Sequence, residues 1–422
     1  MNRRSAGFTL IGLVVFCGAV AGPALLQFAV AGAQKSAAPA KFDFGGNAAE
    51  VPAEFQSNLI FLPVRVNGGQ PSLFELDTTT GFSSMDPGRG AELGLTGTAN
   101  GGDAGGSGNS GSSGGSMLVK DPILELPGLH LPMLALPFFE RRGFDAQVGR
   151  HYQGALGKDF LDRVVVEIDY QRRTVRLYDP DVYKYAGKFK AIPLDFVEDI
   201  PVVKAKFDTP RGKTLEADFE LSTAVDDSIV FSGRYEDSHR LVKSHLKTIP
   251  AFRPEWADSP RNALGRLKQF QLVPGPAVHE PLAVFSQKKE IIDGHPKVAG
   301  IIGGGFLRRF NVILDFPHHQ MFLEPYKMYD EYEEADMSGL SLIAGGSNLR
   351  RFEVVDIEPG SPAASAKIKV GDVIAGVDDE PAADMTLGQL RNLFRQIPHK
   401  YKLIIERNDK TIDLQVSMHR LL

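Results

Sequence analysis

FELDTTTGFSSM, at Phe74–Met85, returns as FELSTAVDDSIV at Phe219–Val230, and where the first copy has Asp77 the second has Ser222. Each copy is followed by a second landmark, GALGKDFLDRVVVEIDY from Gly154 and GIIGGGFLRRFNVILDF from Gly300. Gly157 lies 80 residues after Asp77 (157 − 77), and Gly303 lies 81 after Ser222 (303 − 222). Two correlated matches at almost equal spacing mark two tandem copies of one structural unit.

Working outward, LIFLPVRVNGGQPSLFELD from Leu59 shows two β-rich runs about a Gly-Gly turn, then an extended segment that puts Asp77 at a strand end. Two similar runs lead from Phe189 into the second copy. Leu95–Ser116 is dominated by Gly and Ser without apolar periodicity. It is too long for an ordinary turn and reads as a mobile loop or flap over a cleft. Within it GSGNSG and GSSGG mimic nucleotide-binding and nucleophile-elbow strings, but neither lies between a strand and a helix, so both are compositional accidents. His318 and His319 match the strand-pair turn at Gln171–Arg173 and lack further ligands, so no metal or other cofactor is expected.

The chain has 422 residues, 43% hydrophobic and 23% charged, with a net charge of -5. That suits a globular protein of two or three domains, and scattered Lys and Arg give no nucleic-acid footprint. Arg3 and Arg4, the apolar run Phe8–Val30 and the small residues Ala31–Ala33 read as an export signal or, uncleaved, a membrane anchor. The expected location is the periplasm or cell envelope, tethered to the inner membrane where the run stays uncleaved. The single cysteine, Cys17, lies inside the run, so no disulfide is expected in the mature chain.

After the second copy, the acidic YKMYDEYEEAD (Tyr326–Asp336) reads as a linker into a third unit. That unit contains GLSL at Gly339, the strand FEVVDI, the turn PGSPAASA, the strand GDVIAGV, a helix candidate from Leu387, and the strands YKLIIER and TIDLQVS. The expected units are 1–33, signal or anchor; 34–50, tether; 51–182 and 183–326, the two lobes; 327–337, linker; and 338–422, the third unit.

The lobes resemble the aspartic protease fold, in particular the retropepsin-like bacterial family in which a hydrophobic strand runs into Asp-Thr-Gly. Here the match is LDTTTGFSSMDP at Leu76–Pro87, followed by ALG at Ala155–Gly157. The resemblance implies a mainly β fold of two tandem β-barrel lobes, with Thr78 and Thr223 tying the two site loops together. That family's chemistry needs two carboxylates sharing one proton. Asp77 supplies one, but Ser222 holds the partner position and a hydroxyl is unsuited to general base work. Thr79 and Ala224 replace the family's Gly, so strain or a narrowed cleft is expected at Thr79. Asp218, Asp226 and Asp227 are the nearby acids, read as solvated; Asp77 of a second chain is the other source of a partner.

The third unit resembles a PDZ domain of the bacterial exported type, a β-sandwich with two helices. The match is GLSL, then EPGSPAASAKIKVGDVIAGVDDEPA, then the helix from Leu387. The resemblance implies that Gly339, Leu340, Ser341 and Leu342 receive an extended peptide and its terminal carboxylate, with Leu387, Leu390 and Leu393 packing its side chains. Asp378–Glu380 falls at a hairpin turn. The favoured expectation is an exported protein that binds unfolded or extended polypeptide and protein C-termini with little or no proteolysis. The alternative is an aspartic-type endopeptidase in which Asp77 finds its second acid elsewhere and the PDZ unit recruits substrate.

Overall fold

The computed structural model describes residues 37–44, 48–99, 117–140, 144–209, 211–244, 246–251, 262–287, 298–396 and 399–422. The expected export segment, and the flap apart from its first residues, lie outside the described residues.

The protein is mainly β. In lobe one, β1 (Ala49–Pro52) is followed by the antiparallel pair β2 (Leu59–Val66) and β3 (Ser72–Leu76), the latter ending at Asp77. Then come β4 (Ser84–Met85), the short helix α1 (Phe144–Val148), β5 (Gly154–Leu156), and the pair β6 (Val165–Asp169) and β7 (Thr174–Tyr178). β5 lies parallel to β3 and antiparallel to β4. Lobe two repeats this plan: β8 (Ile200–Asp208), β9 (Thr214–Leu221) ending at Ser222, β10 (Ile229–Phe231), β11 (Val298–Ile302), and the pair β12 (Phe310–Asp315) and β13 (Gln320–Pro325). β11 likewise lies parallel to β9 and antiparallel to β10. Even the turns agree: Arg173 and His319 close the β6–β7 and β12–β13 pairs at φ of 57° and 54°.

Strand alternation builds the core. Along β8, Val203, Ala205 and Phe207 are buried while Lys204 and Lys206 face out. β6 pairs with β12 across the lobes, so one six-stranded sheet, in the order Ile192–Pro193, β13, β12, β6, β7, β1, belongs to both. A single apolar core runs through the two lobes.

The C-terminal unit has its own core. Its sheet contains β14 (Leu340–Gly345), β15 (Arg351–Ile357), β16 (Val373–Val377), β17 (Lys400–Arg407) and β18 (Lys410–Ser417), with β14 at the edge. The helix expected from Leu387 is α2 (Leu387–Leu393), opened by a Thr386–Gln389 capping box.

Candidate functional site

Both copies of the repeat end at the lobe junction. Asp77 N–H donates to Leu156 O at 3.0 Å and Ser222 N–H to Ile302 O at 2.9 Å, each to the parallel strand beside it. The next residue crosses to the other lobe. Thr78 Oγ1 donates to Leu221 O at 2.6 Å and accepts from Thr223 N–H at 3.1 Å. Thr223 Oγ1 donates to Leu76 O at 2.5 Å and accepts from Thr78 N–H at 3.1 Å. Both threonines are fully buried, and the four bonds set Asp77 and Ser222 on either side of one crossing.

The second landmark supports each loop. A side chain at Gly157 would meet the carbonyls of Phe82 and Thr80 at 2.7 and 2.8 Å; one at Gly303 would meet those of Asp227 and Val225 at 2.3 and 2.6 Å. These carbonyls are at matching positions in the two copies, so only glycine lets the site loops lie this close.

The loops differ at the reacting groups. Thr79 N–H and Oγ1 donate to Asp77 Oδ1 at 2.9 and 2.7 Å, whereas in lobe two Ala224 N–H donates to Ser222 Oγ at 3.2 Å. Thr79 is not among the residues with positive φ, so it carries no left-handed backbone strain. Its hydroxyl instead orients the Asp77 carboxyl. Asp218, expected to precede the strand, lies within β9, half exposed and paired with Lys204 at 2.7 Å.

A buried acid that sequence reading missed is Glu220. It is 6% exposed, on β9 two residues before Ser222. Its cross-strand neighbours are Val202 and Ile301, members of a small aliphatic cluster separate from the main core. Burial, and secondarily the negative charge of Asp77, push its carboxyl up to about 8. The signal was present: FELD and FELS each place a Glu on the same strand face as the site residue, at spacing two, inside a run otherwise fit for burial.

In the C-terminal unit, β14 and α2 face one another, and Leu387 and Leu390 are fully buried. Leu340, Ser341 and Leu393 are partly exposed, while Leu342 is buried. Gly339 adopts φ +72°, with no room for a side chain beside Ser361. Several groups that would meet a peptide already have partners. Gly339 N–H donates to Asp336 Oδ1 at 3.0 Å, Leu340 N–H to Ser338 Oγ at 3.0 Å, and Arg391 reaches across from α2 to Leu342 O at 2.9 Å.

A PDZ family model matches residues 353–407. The C-terminal unit is a PDZ domain. No curated protein matches the chain. Among solved structures, the chain is similar to soybean basic 7S globulin at 9% identity and TM-score 0.40, over 66% of this chain and 94% of that one. It is similar to a retropepsin-like aspartic protease from Rickettsia conorii at 15% identity and TM-score 0.22, over 30% and 86%. A likeness to the photosystem II D1 C-terminal processing protease, at 22% identity and TM-score 0.19, covers 20% of this chain and only 23% of that protease. None of these three bears on function.

The PDZ domain is docked on lobe one. α1 packs against β14, Gly149 lies so close to Leu387 that a side chain on it would come within 2.6 Å of the Leu387 Cβ, and His151 Nε2 lies 3.1 Å from Ser347 O. Residues 144–151 therefore touch the groove strand, the turn that follows it and the first residue of the groove helix. On its other side α1 presents Phe144 and Val148 to Leu59, Phe61 and Tyr152 of lobe one. Gln56 Nε2, Ser57 Oγ and Asp145 Oδ1 are buried without a hydrogen-bond partner among the described residues, and Gln56 and Ser57 lie against Gly388 of α2. Each such group weakens this contact.

Proposed function

We propose that the protein binds extended polypeptide, with the PDZ groove as the main seat and the two-lobed cleft as a second. The observation that carries this reading is the edge strand β14 beside α2 in a unit that matches the PDZ family. Such an edge takes up an added strand once the partners now on Gly339 N–H, Leu340 N–H and Leu342 O give way. With Ser222 opposite Asp77, the cleft lacks the symmetric pair of carboxylates that aspartic hydrolysis uses. The N-terminal pattern supports action in the periplasm or cell envelope, which fractionation of cells producing the full chain tests.

A peptide entering the groove has to displace Arg391 from Leu342 O and the α1 segment from the Leu387 end. Binding is measured by fluorescence anisotropy with labelled decapeptides ending in a free apolar carboxylate. The expected outcome is saturable binding that weakens on amidation of the terminus. Gly149→Val, which forces α1 off Leu387, is expected to tighten binding roughly three- to tenfold by raising the open fraction. Equal binding of free and amidated peptides would remove the carboxylate from the reading, and no binding at all would remove the groove.

One observation favours a second reading, an aspartic-type endopeptidase: a buried acid within the electrostatic reach of Asp77.

A further inference from the structure

We propose that Glu220 is the second carboxyl of the Asp77 cleft, and that this pair, instead of Asp77 with residue 222, hydrolyses a peptide bond in a bound extended segment. The proposal rests on the cleft taking extended polypeptide. Alternation along β9 carries Glu220 and Ser222 to one face, as alternation along β3 carries Glu75 and Asp77. The Thr78–Thr223 crossing brings those two strand ends together. Glu220 is more than nine-tenths buried, and what acts on its carboxyl is burial and the charge of Asp77, with no hydrogen bond among these influences. The neighbours paired with it are Val202 and Ile301; the next pair outward, Lys204 and Asp218, is mutually satisfied. A buried carboxyl without a donor is costly unless it stays neutral or serves a bound group.

A neutral acid beside a carboxylate is what acid–base hydrolysis requires. Asp77 takes a proton from water as the water oxygen bonds to the scissile carbonyl carbon, and Glu220 gives its proton to the carbonyl oxygen. As the C–N bond breaks, Asp77 passes its proton to the leaving nitrogen. One hydroxyl of the diol returns a proton to Glu220 as the C=O re-forms. Both groups end as they began.

The test is hydrolysis of dye-quenched unfolded casein by the full-length protein across acidic to alkaline pH, with casein binding followed in parallel. Hydrolysis is expected to fall as pH rises through about 8, where the donor loses its proton. Asp77→Asn and Glu220→Gln should each lose about 100-fold or more, the scale of one acid–base group. Asp218→Asn should leave hydrolysis unchanged. Glu220→Asp, which keeps the acid one methylene shorter, should retain measurable hydrolysis with an alkaline limb; equal loss in both Glu220 variants would overturn the role as proton donor. Full hydrolysis by Glu220→Gln overturns the proposal. So does absence of hydrolysis in the unaltered protein while casein still binds, which leaves the binding reading standing. Absence of both removes the binding reading of the cleft as well.

Discussion

In lobe one, the N–H and hydroxyl of Ser83 both donate to Asp159 at 2.7 Å, just beyond β5. At the matching place lobe two has Gly305, and Ser228 donates instead to Glu333, at 2.8 Å, from the segment that leaves the lobe. The loops share their strand pairings, their glycine contacts and their threonine crossing, but their carboxyls come from different parts of the chain. Backbone geometry has been retained where both lobes depend on it, because each threonine serves its partner's backbone. Side chains that serve only one lobe are free to differ. Glu333 also holds Arg309, whose guanidinium donates to it at 3.2 Å and to the Tyr329 and Glu331 carbonyls. The acidic segment expected as a linker is thus a working part of lobe two.

This contrast can be broken most strongly at Glu333. Glu333→Ala leaves Arg309 buried without its carboxylate, and denaturant unfolding should show a loss of about 3–5 kcal/mol. A loss below roughly 1 kcal/mol would mean that the segment is only a linker. The crossing comes next. Thr78→Val strands Leu221 O and Thr223 N–H inside the junction, at about 2–4 kcal/mol for two unsatisfied groups. Thr223→Val should cost about the same, and the double variant less than the sum, because both remove one network. Strict additivity would show that the crossing is not shared.

The finest test is pH. Burial raises the Asp159 carboxyl to about 6, outweighing the two Ser83 bonds that favour its charged form. A folded value above the unfolded one means that the folded state keeps the proton longer. The contribution is therefore whole at pH below about 4 and is lost as pH rises to about 6. Against Asp159→Asn, the unaltered protein should lose on the order of 1–3 kcal/mol of stability between pH 4 and 7.

Much of the fold was legible because it repeats. The spacing of FELD and ALG against FELS and IIG fixed two units, and the Gly-Gly turn after Val66 fixed the β2–β3 hairpin. Thr78 and Thr223 were legible as ties between the two site loops. Glu220 is nearer to Ser222 in sequence than Asp218, Asp226 and Asp227 are, but it lies within a strand. A glutamate on a strand reads as a solvent-facing residue unless the opposite face is known to be covered.

By itself, then, the sequence determined the duplication, the strand ends at Asp77 and Ser222, and the PDZ unit, because periodicity and turn chemistry are local. Tertiary structure alone decided that Glu220 is buried near Asp77, that Glu333 braces lobe two, and that α1 lies against the PDZ groove. Burial and electrostatic coupling depend on which distant segments exclude water from a side chain, and no local pattern records that.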